Sequence, residues 1–151
     1  MAAVDVETEI TIARPRNEVA DYASNPDNAT TWYTNIKEVQ WKSPIPAKVG
    51  SRIAFVAEFL GRRLTYTYEV VELVPDERFV MRTAEGPFPM ETTYEWRTTS
   101  SGHTTMTLRN RGEPSGCSRL GAPLMARAMR RANNKDLTRL KAVLEAAPVN
   151  P

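Results

Sequence analysis

The chain has 151 residues, 41% hydrophobic and 25% charged, which fits one globular domain with its own core and excludes a disordered, collagen-like or disulfide-stapled chain. Its 20 Lys and Arg stand against 18 Asp and Glu, a formal net charge of +2 that is too small to mark a nucleic-acid partner. A single cysteine, Cys117, and a single histidine, His103, allow neither an internal disulfide nor a Cys- or His-rich metal site. No stretch reaches the ~18 apolar residues of a membrane span. The start carries Asp5 and Glu7 where a secretory leader needs bases and an apolar run. The expectation is a cytoplasmic protein without integral membrane association, one domain over residues 1–147, and a frayed tail at 148–151.

In chain order, residues 4–13 alternate with period two. Val4, Val6, Thr8, Ile10 and Ile12 face one way and Asp5, Glu7, Glu9 and Thr11 the other, which predicts a strand with one wet face. Pro15 ends it and opens a short helix through Val19, Tyr22 and Ala23. Pro26 starts a second short helix carrying Trp32 and extending to Ile36. Further strands are predicted from Val39 to Trp41, from Ile53 to Phe59, and from Leu64 to Leu73 with a bulge near Val71. Others run from Phe79 to Ala84, through Thr92, Tyr94 and Trp96, and from Thr104 to Arg111. Short turns between them imply an antiparallel meander. From Pro123 to Glu145 the period becomes helical: Met125, Met129, Asn133, Leu137, Leu140 and Leu144 draw one stripe, with Arg127, Arg130, Arg131, Lys135, Arg139 and Lys141 largely off it.

Several segments, in order along nearly the whole chain, resemble those of the START/Bet v 1-like (SRPBCC) superfamily, in particular its bacterial polyketide cyclase/dehydrase-like branch. They are residues 10–19, Asn25-Pro26-Asp27 before Trp32, Val49-Gly50-Ser51, residues 68–75, residues 104–108 and residues 137–145. The resemblance implies an α+β helix-grip fold. In it a curved antiparallel sheet of about seven strands wraps a long C-terminal helix, and two short helices follow the first strand. It also implies an internal cavity that holds a small hydrophobic, lipid-, aromatic- or polyketide-like molecule. The alternatives are a cyclase or dehydratase that folds its substrate in that cavity, or a partner-binding or chaperone-assisting domain with a filled interior. No catalytic motif comes with the resemblance.

The residues expected on the cavity wall are Trp32, Phe55, Phe59, Tyr66, Tyr68, Met81, Tyr94, Trp96, Met106, Leu108, Asn110, Met125, Met129 and Asn133. A plain core accounts for the same aromatic and methionine set. Tyrosine and tryptophan tips need partners when buried, and methionine adapts to varied shapes, which suits a cavity. Asn133 interrupts an apolar helix stripe, so its amide must meet either a protein group or a ligand. Arg82 and Glu91 flank a turn and can pair across it, or one of them can face inward as a polar assistant. His103, beside the Ser100-Ser101-Gly102 turn, reads as a solvated turn residue rather than a general base. The basic helix face reads as solvated. No phosphate loop or dinucleotide fingerprint is present, so no cofactor, metal or nucleic acid is expected, and the chain is expected to be a monomer or homodimer.

Overall fold

The computed structural model describes residues 4–59, 61–86, 89–113 and 121–146, with only the backbone of Phe59. Cys117 and the tail expected to fray lie outside these residues. Strand β1 (Val4–Ile12) buries its even positions and wets its odd ones, as its alternation requires, although Ile10 is only half-buried. Pro15, extended at φ −62° and ψ 151°, caps helix α1 (Arg16–Ala23), where its missing N–H costs nothing. A 3-10 turn (Pro26–Asn28), whose cap Asn25 accepts from the Asp27 N–H at 3.1 Å, leads into the one-turn helix α2 (Ala29–Trp32).

The second short helix stops earlier than its pattern predicts. Tyr33 is extended, and Ile36 opens strand β2 (Ile36–Trp41) instead of closing a helix. The register against β3 shifts between Ile36 and Glu38, which puts Ile36 and Val39 out of strict alternation and hid the strand's start.

Strands β3 (Arg52–Phe59), β4 (Arg62–Val74), β5 (Arg78–Glu85), β6 (Met90–Thr98) and β7 (Thr104–Gly112) follow as antiparallel hairpins. The last of them returns to β1, giving the sheet order β1-β7-β6-β5-β4-β3-β2. The bulge expected in β4 lies where Val70 pairs Met81 but Glu72 pairs Val80. Gly102 adopts φ +82° in the β6–β7 turn, a conformation that a side chain would oppose. His103 is exposed beside that turn.

Helix α3 (Ala122–Ala146) is 25 residues long, about 37 Å at ~1.5 Å per residue. Its C-terminal half is pinned to β1 and the residues after it. Arg14 Nε donates to the Leu144 carbonyl at 2.9 Å, the Ala13 N–H donates to Glu145 at 2.8 Å, and Lys141 Nζ donates to the Thr11 carbonyl at 3.0 Å. Leu137, Leu140 and Leu144 are buried there, in one cluster with Ile12, Val19, Trp32, Phe79, Trp96, Met106 and Leu108. The seven-stranded sheet gripping a long terminal helix is the expected helix-grip architecture. No described helix is long and apolar enough to cross a membrane.

The outer face of the sheet carries charge pairs. Arg78 meets Glu95 and Glu72 at 3.0 Å, Arg82 meets Glu91 at 2.9 Å, Arg109 meets Asp5 at 2.7 Å, and Arg52 meets Glu69 at 3.2 Å. Pairs this exposed contribute ~0–1 kcal/mol each. Their position settles the facing of Arg82 and Glu91: both point away from the helix, because Met81 and Thr92, beside them in the register, take the inner face.

Candidate functional site

The inner face of the sheet and the N-terminal half of α3 border a half-open cavity of about 240 Å³. Its floor follows from strand parity. Phe55 and Ala57 of β3, Leu64, Tyr66 and Tyr68 of β4, Met81 of β5, Met90, Thr92 and Tyr94 of β6, and Asn110 of β7 share the face turned toward the helix. Gly112 lets Met90 lie over it, since a Cβ there would fall 2.1 Å from the Met90 sulfur. Met125, Met129, Ala132, Asn133 and Asp136 form the helix side, and Tyr33, Asn35 and Ile36 close one edge. The cavity sits where α3 carries methionine and alanine. Where α3 carries Leu137, Leu140 and Leu144, the space is filled.

Nine of the expected wall residues meet here: Phe55, Tyr66, Tyr68, Met81, Tyr94, Asn110, Met125, Met129 and Asn133. Four do not. Trp32, Trp96, Met106 and Leu108 are buried to 4% exposure or less in the packed cluster, because the pinned half of α3 lies over them. The Phe59 side chain lies outside the described residues. Arg82 and Glu91 are excluded as inward-facing assistants by their place on the outer face. The sequence reading missed the polar wall residues Tyr33, Asn35, Thr92 and Asp136, and the apolar Ile36, Ala57, Leu64, Met90 and Ala132 as well. Asp136 was within reach, since it follows Asn133 by three residues and Met129 by seven on the same helix face. Tyr33 follows a one-turn helix, too short for any period to register.

The polar atoms of the wall are few and mostly committed. Thr92 Oγ1 donates to Asn110 Oδ1 at 2.6 Å, and the Tyr68 phenol lies beside Thr92. The Tyr33 and Tyr94 hydroxyls hydrogen-bond to each other. Asp136 accepts the Thr34 N–H at 2.9 Å. Burial pushes its carboxyl above the usual carboxylate range, against the opposing pull of that bond and of Lys135 and Arg139. Burial likewise raises the phenols of Tyr33, Tyr66, Tyr68 and Tyr94. Asn133 Nδ2 is buried without a hydrogen-bond partner among the described residues. An amide donor in that state costs ~1–3 kcal/mol unless a further group meets it. The wall is therefore apolar, with neutral phenol and amide groups set into it. Among the described residues, no group of three or more His, Cys, Asp or Glu stands close enough to hold a metal ion.

These phenols make alkaline pH the weak flank of the fold. Their pKa values are higher folded than unfolded, so between about pH 10 and the folded values the native state holds protons that the unfolded chain has released. The stability they contribute is full below about pH 10 and falls as pH rises. In a phenolate absorbance titration, Tyr33, Tyr68 and Tyr94 are expected to ionise together, at the unfolding step seen by circular dichroism. Their gradual ionisation near pH 10 with the fold intact would mean that water reaches the cavity floor freely.

Solved structures share this architecture at low sequence identity. TTHA0849 from Thermus thermophilus superposes with a TM-score of 0.81 at 20% identity, over 95% of this chain and 99% of that one. The Zhui aromatase/cyclase from Streptomyces sp. R1128 gives 0.78 at 17% identity, over 93% of each chain. A START superfamily protein from Mycobacterium smegmatis gives 0.71 at 13%, over 93% of this chain and 94% of that one. No curated protein matches the sequence. The family described as polyketide cyclase / dehydrase and lipid transport matches residues 3–145, almost the full length. The chain belongs to that family, in the START/Bet v 1-like superfamily.

Proposed function

We propose that the protein binds a small hydrophobic molecule carrying at least one acceptor oxygen, held between the sheet and the N-terminal half of α3. The observation that carries this reading is the cavity itself. Protein interiors pack as densely as organic crystals and keep few voids larger than a water molecule, so about 240 Å³ lined by aromatic and methionine side chains is not a packing flaw. Its size lies just under the ~300–1,000 Å³ common for ligand pockets, and its few fixed polar groups set in apolar walls match their usual chemistry. Asn133 Nδ2 supplies a buried donor for a ligand carbonyl or ether oxygen.

The wall offers few groups for proton transfer: the phenols are neutral near pH 7, and the one carboxylate among the described wall residues, Asp136, accepts the Thr34 N–H through Oδ1. Restricting the shape of a bound chain remains within the reach of such a cavity, and the aromatase/cyclase with this fold makes that a related use of the same space.

The test is a titration of the folded protein with N-phenylnaphthylamine, a neutral apolar fluorophore. Saturable emission at one site per chain is expected, displaced by an oxygenated aromatic such as a naphthoquinone. Fluorescence that grows only through the unfolding transition would sink the reading.

A further inference from the structure

Beside the cavity lies a feature that binding of an apolar molecule does not use. On α3, Arg127, Arg131 and Lys135 recur every fourth residue, so they lie one above another along a single strip of the helix. All three are exposed. They border a groove between α3 and residues 34–35, and the small Ala128 and Ala132 leave room along the helix side of it. Asn35, Ala132 and Asp136 line this groove and the cavity alike, so the two spaces adjoin across those residues.

A basic strip on a helix usually faces water and nothing more. Position separates this one from that case. Arg127, Arg131 and Lys135, like Arg111 and Arg139, form no ion pair among the described residues, but they stand along a helix edge that adjoins the cavity, with the methyl groups of Ala128 and Ala132 rather than long side chains between. The carboxylate nearest that edge, Asp136, sits on the shared wall and is bonded to the Thr34 N–H. Its charge disfavours an anion at the inner edge and favours one farther out, beside Arg127 and Arg131.

We propose that the ligand is an amphipathic anion, its apolar body in the cavity and its carboxylate, sulfonate or phosphate head in the groove on Arg127, Arg131 and Lys135. This rests on the reading that the cavity binds a hydrophobic molecule, and it adds the head group and the direction in which the ligand lies. A guanidinium pair suits such a head because each planar fork can meet two oxygens at once.

The test compares two fluorophores with one aromatic skeleton, N-phenylnaphthylamine and anilinonaphthalene sulfonate, which differ by the anionic group. The sulfonate is expected to bind about tenfold more tightly at low salt, since exposed charge pairs are individually weak and three cations act together. That advantage should shrink as ionic strength brings the Debye length below ~10 Å, while the neutral probe holds its affinity. In the triple variant R127Q/R131Q/K135Q the two probes should bind alike, with neutral-probe affinity and thermal midpoint unchanged. R127K/R131K should keep only part of the preference, since lysine retains the charge and loses the planar fork.

Equal affinities in the wild type, or a preference that survives the triple substitution, would overturn the proposal. So would a triple variant that loses adhesion to phosphatidylglycerol vesicles while keeping its sulfonate preference, which would assign the strip to a membrane surface. Competition by inorganic phosphate against the sulfonate probe, but not the neutral one, would support the head-group site and show that a free anion can fill it. If neither probe binds the folded protein, the cavity reading itself fails. If the neutral probe binds and the sulfonate gains nothing over it, the cavity reading stands and the head-group site does not.

Discussion

Met129→Trp is expected to reduce N-phenylnaphthylamine affinity by about 100-fold or more and to leave the denaturation midpoint nearly unchanged. Met129 is half-buried on the helix side of the cavity, whose sheet side includes Tyr94 and Met81. The indole is much larger than the thioether and needs extra volume. In a close-packed site those atoms would force strained rotamers and backbone shifts, a loss of ~1–3 kcal/mol. In a cavity of about 240 Å³ they enter existing space and gain contacts. The same atoms then stand where the probe would lie, and binding disappears without unfolding. Paired urea denaturation and probe titration measure both effects. A large stability loss would mean that the interior is filled, and intact stability with full binding would place the ligand elsewhere.

Trp32→Ala should do the opposite, costing about 3–5 kcal/mol of the ~5–15 that holds a domain of this kind together. Trp32 is 0% exposed, its ring centroid 4.0 Å from that of Tyr33 and 5.8 Å from that of Tyr94. Its Nε1 has no hydrogen-bond partner among the described residues, so the loss is one of packing rather than of a polar bond. The indole joins α2 to the main core and braces the Tyr33–Tyr94 hydroxyl pair at the edge of the cavity. A midpoint shift worth less than about 1 kcal/mol would show that Trp32 is a wall residue able to yield, and that the filled end of the molecule begins farther from α2.

The contrast between Met129 and Trp32 marks the limit of what could be read in the chain. Alternation in residues 4–12, 53–59 and 92–96, and the stripe from Met125 to Leu144, were enough to name those strands and the terminal helix and to give their inward residues. These are local properties, since a strand's period of two and a helix's period of 3.6 sort side chains without reference to distant residues. They also placed Phe55, Tyr66, Tyr68, Tyr94 and Met129 on inward faces. What they could not tell is which inward residues meet a neighbour and which meet a cavity.

Trp32, Trp96, Met106 and Leu108 point inward as Tyr68 and Met129 do, but the hydrogen bonds from Arg14, Ala13 and Lys141 draw the C-terminal half of α3 down onto that end of the sheet. The other half is tied to β1 through Arg130, which donates to the Glu7 carbonyl at 3.0 Å, and its Met125, Met129 and Asn133 line the cavity. Distance between layers is set by contacts more than 100 residues apart in sequence, and no local pattern encodes it. The facing of Arg82 and Glu91 was equally out of reach, because a short strand with apolar residues on both parities has no wet side until its neighbours are placed. Sequence alone determined the elements, their order and the family they resemble. Only the tertiary structure decided where the interior is hollow, that Tyr33 and Asp136 border it, and that three unmatched cations stand at its edge, because each of those depends on how far two distant segments approach one another.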